Sequence, residues 1–194
     1  TELETVLRVP RDRIRVVPNA AGTAFAPDGP QAEGDYVLAV GTLEPRKNLA
    51  RAIEAAQRLG VELRVVGARG WGGVEASGPG VAWIGFAGDE ELARLYRGAR
   101  CVVYPSLYEG FGIPVIEAMA CGAPVVTSRG GATEEVAGGA AVLVDPEDVA
   151  SIAHGMEEAV ARRDELRAAG VARARAYSWD ASAQLLLRAY EDAA

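Results

Sequence analysis

Histidine, lysine and cysteine are nearly missing from this chain: 194 residues include one His, one Lys and two Cys. One histidine and two distant cysteines leave almost no ligands for zinc. No D-x-D pair occurs either, which argues against a metal held by such a pair, and no metal site or resident cofactor is expected. Cys101 and Cys121 both sit in apolar surroundings. A disulfide is open on paper, but two buried free thiols are the expectation, as in a reducing cytoplasm. No apolar run approaches the ~20 residues of a membrane span, and the opening residues do not read as a signal peptide. The net charge is −7, and no Lys/Arg cluster of the size that nucleic-acid binding uses is visible.

What remains is an ordinary globular composition, with 49% hydrophobic and 24% charged residues, 23 Gly and 10 Pro. It excludes collagen, a disordered tail and a disulfide scaffold. At roughly 100–200 residues per domain, the length gives one domain with a small appendage. The chain opens on Thr1 rather than Met, which points to a piece of a longer protein.

From Asp35 onward, short β-branched runs alternate with helical patterns. Strands are expected at 36–40, 62–66, 81–84, 101–104, 124–127 and 141–144. Helices are expected at 48–59, 89–97 (with Asp89 as N-cap), 113–121, 133–137 and 149–161. This alternation means βαβ units: an α/β fold with a Rossmann-like, doubly wound parallel sheet. Ligands of such sheets bind outside the carboxyl ends of the strands, which puts the loops after the first five strands on one edge. Residues 1–32 and 178–194 look foreign to the alternating core. The latter opens on a cap-like Ser178 before Trp179 and a helix.

The first loop, Gly41-Thr42-Leu43-Glu44-Pro45-Arg46-Lys47-Asn48, holds the only lysine in a chain with 19 arginines. Two cations at a helix N-terminus make an anion site. The plainer reading leaves Arg46 and Lys47 as solvated charges and Asn48 as a helix cap. The loop is not a Walker motif, because Lys47 is followed by Asn. The loop after the fourth strand, Ser106 to Glu117, carries Gly110 and Gly112 around Phe111, then Ile113 and Pro114 at a helix start. Its amides would point off the sheet edge, and Glu109 and Glu117 could each accept from vicinal hydroxyls. Ser106 and Glu109 also match a capping box. Glycines 67–73 follow the second strand without opening a helix, so a flexible rim loop is expected rather than a dinucleotide fingerprint, and a nicotinamide enzyme is disfavoured. Gly130-Gly131 is either another close approach to a ligand or a turn. His154 falls on a helix remote from these loops.

The run Tyr108-Glu109-Gly110-Phe111-Gly112-Ile113-Pro114-Val115-Ile116-Glu117-Ala118-Met119-Ala120-Cys121-Gly122 resembles the E-x7-E segment of glycosyltransferase family 4. The resemblance extends through 40–48 and 85–96 to Leu143-Val144-Asp145-Pro146 and covers about 14–160. It implies the C-terminal, donor-binding half of a two-domain GT-B fold. Residues 1–32 would be a connector from an N-terminal acceptor domain, 33–177 the nucleotide-sugar domain, and 178–194 a helix packing toward that absent domain. The implied activity is a retaining hexosyl transfer from a nucleotide sugar such as UDP-glucose or GDP-mannose, with this chain alone inactive. The acceptor would bind the other half, and any peripheral membrane association would reside mainly there. By the same resemblance, Arg46 and Lys47 bind the donor diphosphate together with Gly41 and Thr42. Glu109 and the Gly110, Phe111, Gly112 and Ile113 amides face the sugar and distal phosphate, Glu117 holds the ribose, and Phe86 and Leu92 flank the base. Arg46, Lys47 and Glu109 would carry the catalysis, without a protein nucleophile. Many relatives carry an arginine where this chain has Thr42, so Arg46 would have to supply that charge. A non-catalytic nucleotide- or sugar-binding module of the same fold is the alternative.

Overall fold

A computed structural model describes residues 2–192. Six strands, β1 Tyr36–Val40, β2 Glu62–Val66, β3 Val81–Gly85, β4 Val102–Tyr104, β5 Val125–Ser128 and β6 Val142–Val144, form one all-parallel sheet. Its order is β3-β2-β1-β4-β5-β6, the doubly wound arrangement that the alternating pattern predicts. The helices are α1 Glu2–Thr5, α2 Leu49–Leu59, α3 Asp89–Gly98, α4 Ile113–Ala120, α5 Gly131–Ala137, α6 Val149–Ala161, α7 Arg163–Ala174 and α8 Trp179–Glu191.

The period of two along each strand splits the core into two layers. Tyr36 and Leu38 of β1 pack with α3 and α4 on one face, while Val37 and Ala39 pack with α2 and α6 on the other. Cys101 lies in the second layer and Cys121 in the first, both buried and unbridged. The two-thiol expectation therefore holds.

Three local expectations differ from what the chain does. Asp89 is the first residue of α3 rather than its cap, a position taken by Gly88, and acidic side chains there favour the positive helix end without a capping bond. Helix α7 has no counterpart in the sequence reading. It packs on α4 through small residues, with Gly170 against Met119, and buries little beyond Leu166 and Ala174, so no broad apolar stripe announces it. The segment before β1 is not wholly outside the core. Phe25 is buried edge-on against Tyr96 at 5.9 Å, and Arg97 donates to the Ala26 and Pro30 carbonyls at 3.1 and 2.6 Å.

Helix α6 reaches the sheet through Gly155, where an added Cβ would press on Val144 and come within 3.1 Å of Val126. Gly155→Ala is expected to cost about 1–3 kcal/mol, read as a fall of roughly 3–9 °C in a thermal melt. An unchanged melting temperature would contradict this packing.

Candidate functional site

The sheet order reverses between β1 and β4, which opens a crevice beyond their carboxyl ends. Loops 41–48 and 105–112 flank it and are stitched together. Leu107 N–H donates to the Arg46 carbonyl at 2.8 Å. Asn48 is buried with a left-handed backbone (φ 57°) and makes no side-chain cap bond to α2. Its amide instead donates to the Pro105 and Pro146 carbonyls at 2.9 and 2.6 Å, tying the β1, β4 and β6 loops together.

Pro45–Lys47 form a 3-10 turn ahead of α2. From it, Arg46 Nη1 reaches Glu109 Oε2 at 2.8 Å and Lys47 Nζ reaches Glu109 Oε1 at 2.7 Å. Arg46 Nε also pairs with Glu44 Oε2 at 2.9 Å, so two cations face two carboxylates. Neither Lys47 nor Glu109 is a solvated loop charge, for their side chains are only 13% and 9% exposed. The Lys47 stem runs along Gly41, where an added Cβ would sit 3.2 Å from Cδ and Cε. Gly41 and Thr42 border a small cavity beside Lys47.

The sequence reading missed Tyr104, the last residue of β4. Its hydroxyl accepts from Lys47 Nζ at 2.5 Å and donates to Glu109 Oε1 at 2.7 Å. Burial, with the Glu109 charge beside it, pushes the phenol pKa up and keeps the hydroxyl protonated. Burial also pushes the Glu109 carboxyl up. The hydrogen bonds from Lys47 and Tyr104, with the Lys47 charge, outweigh it and leave the group below its ordinary value.

Helix α4 starts at Ile113 behind Gly112 (φ 99°), so Ser106 and Glu109 form no capping box on it. Among the described residues, the amides of Gly110, Phe111, Gly112 and Ile113 donate to no protein acceptor. The first of them, Gly110, borders a cleft of about 560 Å³ that is lined also by Glu109, Ser128, Gly130, Gly131 and Thr133 among others. Gly130 and Gly131 turn the chain into α5 at φ 84° and 72°, and open space lies where side chains would stand.

The model of the family described as group 1 glycosyl transferases matches residues 23–177. The chain belongs to that family. It is 34% identical to the O-antigen chain mannosyltransferase B of Escherichia coli over 98% of its own length and 58% of that protein's. Among solved structures it is similar to sucrose-phosphate synthase from Thermosynechococcus elongatus, with a TM-score of 0.73, 25% identity and coverage of 98% of this chain and 48% of that one. A glycosyltransferase of Rickettsia africae shares the fold at a TM-score of 0.84 and 14% identity, over 98% of this chain and 60% of that one. The chain thus spans about half the length of these relatives, and its Rossmann-like sheet is that of GT-B glycosyltransferases.

In this family member the other expected residues lie to either side of the ion cluster. Glu117, on α4, accepts from Tyr96 Oη at 3.1 Å. Burial raises its pKa, the Tyr96 hydrogen bond opposes, and the Asp89 charge adds to the rise. Leu92 is buried in α3, whereas Phe86 is 83% exposed ahead of it. The loop after β2 is tied rather than free. Leu43 N–H donates to the Ala68 carbonyl at 3.1 Å and Gly67 N–H to that of Gly85 at 2.8 Å, and side chains at 67 or 70 would strike the backbone of the first loop. Those two glycines serve close approach. Phe111 packs edge-on against Tyr177 at 5.7 Å, linking the glycine loop to the residue just before α8 and its Ser178 cap. His154 is exposed on α6, away from the crevice. Among the described residues, no group of three His, Cys, Asp or Glu is placed for a metal ion, and no helix is long and apolar enough to cross a membrane.

Proposed function

We propose that this chain is the donor-binding part of a retaining family 4 glycosyltransferase that moves a hexose from a nucleoside-diphosphate sugar to an acceptor hydroxyl. The observation that carries the reading is the Arg46–Lys47–Glu109 cluster at the switch point, beside the glycine-loop amides and an open cleft. A cleft of about 560 Å³ lies within the ~300–1,000 Å³ of small-molecule sites. The family match and the mannosyltransferase relative support glycosyl transfer in particular.

In this reading the donor diphosphate takes Lys47 and Arg46 as counterions, and the Gly110–Ile113 amides take oxygens of the distal phosphate and sugar. Glu109, held in place by the two cations and Tyr104, faces a sugar hydroxyl with its remaining lone pairs, Glu117 holds the ribose hydroxyls, and Phe86 and Leu92 border the base. As the bond from the sugar's anomeric carbon to the diphosphate breaks, charge gathers on the leaving phosphate oxygen, where preorganised cations act most strongly. The acceptor oxygen bonds to the same carbon on the same face. Acceptor binding falls to sequence outside this chain, which by itself binds donor without appreciable transfer.

The Glu117 role sets a pH dependence. A carboxylate must be ionised to accept two hydroxyls, and this one titrates above its ordinary value of 4.5. Nucleoside diphosphate affinity is therefore expected to weaken as pH falls toward 4.5 and to begin doing so above it. Glu117→Gln should remove that step. Calorimetric titration with UDP and its 2′,3′-dideoxy analogue, repeated for GDP, tests the reading. The wild type should prefer the ribose form, and Glu117→Gln should bind both forms alike. Equal binding of both by the wild type would contradict it.

A further inference from the structure

Lys47 Nζ, Tyr104 Oη and Glu109 Oε1 close a ring of three contacts at 2.5, 2.7 and 2.7 Å. A phenol has one proton, and an ammonium has three and accepts nothing. Lys47 must then donate to both oxygens, and the Tyr104 proton must go to Glu109. Two of the three ammonium protons are thereby spent inside the protein, and the third has no acceptor among the described residues. The ammonium sits off the hydroxyl edge of the Tyr104 ring, 4.8 Å from its centroid, Tyr104 is 2% exposed, and Thr127 Oγ1 donates to the Tyr104 carbonyl at 3.0 Å, fixing the end of β4 to β5.

We infer that Tyr104 is a positioning residue: its hydroxyl fixes the rotation of the Lys47 ammonium so that the remaining N–H is presented to the diphosphate. The inference rests on the donor reading for the identity of the anion, though not for the geometry of the ring. It also gives a reason for a lysine in a chain that otherwise uses arginine. A narrow stem passing Gly41 ends in a point charge that can serve three acceptors in three directions, which a planar guanidinium cannot.

Tyr104→Phe isolates the claim, because it keeps the ring in the core and removes only the hydroxyl. As the only lysine, Lys47 gives a single side-chain resonance in protein labelled with ¹⁵N-lysine. In the full chain at low temperature, that ammonium signal should be sharp and slow to exchange, with a through-space contact to the Tyr104 ring. In Tyr104→Phe it should broaden away. Inorganic pyrophosphate should bind roughly tenfold more weakly to the variant, the scale of one lost charge-assisted hydrogen bond.

A variant that keeps both the sharp signal and the pyrophosphate affinity overturns the inference. A fast-exchanging Lys47 in the wild type does so too, whether or not the variant folds. If the wild type shows the sharp signal, the variant loses it and neither binds pyrophosphate, the positioning role stands and the donor reading fails.

Discussion

Lys47→Ala is expected to lower glycosyl transfer by about 10²–10³, the cost of removing one preorganised donor aimed at a developing anion. The size of the effect follows from where the ammonium sits. It is 13% exposed, held by Tyr104 and Glu109, and fixed before any ligand arrives, so it needs no reorganisation as charge builds on the leaving phosphate. Arg46 cannot replace it. That guanidinium is 41% exposed and already shared between Glu44 and Glu109, and its charge is better screened. Lys47→Arg is expected to recover little, because a planar guanidinium cannot serve Tyr104, Glu109 and the diphosphate in three directions. Initial rates of nucleotide release with acceptor present would measure both variants. A fall of less than threefold for Lys47→Ala would refute the role assigned to it.

Glu109→Gln should have the largest effect on stability. Breaking this part-buried ion pair from one side leaves the Lys47 charge undercompensated, at a cost of about 3 kcal/mol, the low end of the range for a buried pair. The relevant partner is Lys47, since the exposed Arg46 contact adds little. A fall of roughly 6–12 °C in the melting temperature is expected. The pH dependence has a definite sign. The folded carboxyl titrates below its ordinary value, so its contribution is present above the unfolded pKa and is lost as pH falls through the folded one. The wild type should therefore lose stability relative to Glu109→Gln as the solution is made more acid than about pH 4.5. Parallel stability curves for the two proteins across that window would contradict the pairing.

The sheet was legible because its strands are buried runs of β-branched residues. β1 and β2 fall on the expected residues, β4 starts one residue late, and β5 is displaced by one residue at both ends. The sheet's parallel, doubly wound character followed from handedness and alternation. Helix α7 stayed hidden because Gly170 and alanines make its contact with α4, and small residues carry almost no periodic signal. Arg46, Lys47 and Glu109 could be proposed as one site from their places on the strand-end edge, and they do meet. That Glu109 binds both cations itself depends on the β1–β4 neighbour relation, which local sequence does not contain. Tyr104 reads in sequence as one more core residue of a strand, since only its hydroxyl departs from the core role. The expected helix starts one residue early, at Asn48, which instead precedes α2; its left-handed backbone turns the side chain away from the helix and toward two neighbouring loops.

The central claim is that the crevice between β1 and β4 holds a diphosphate on Lys47. It is tested most directly by calorimetric titration of the chain with UDP, GDP, ADP and NAD, in parallel with Lys47→Ala. The account predicts that at least one nucleoside diphosphate binds in preference to NAD and that Lys47→Ala abolishes this binding while remaining folded. Diphosphate binding that survives intact in a folded Lys47→Ala variant would contradict it.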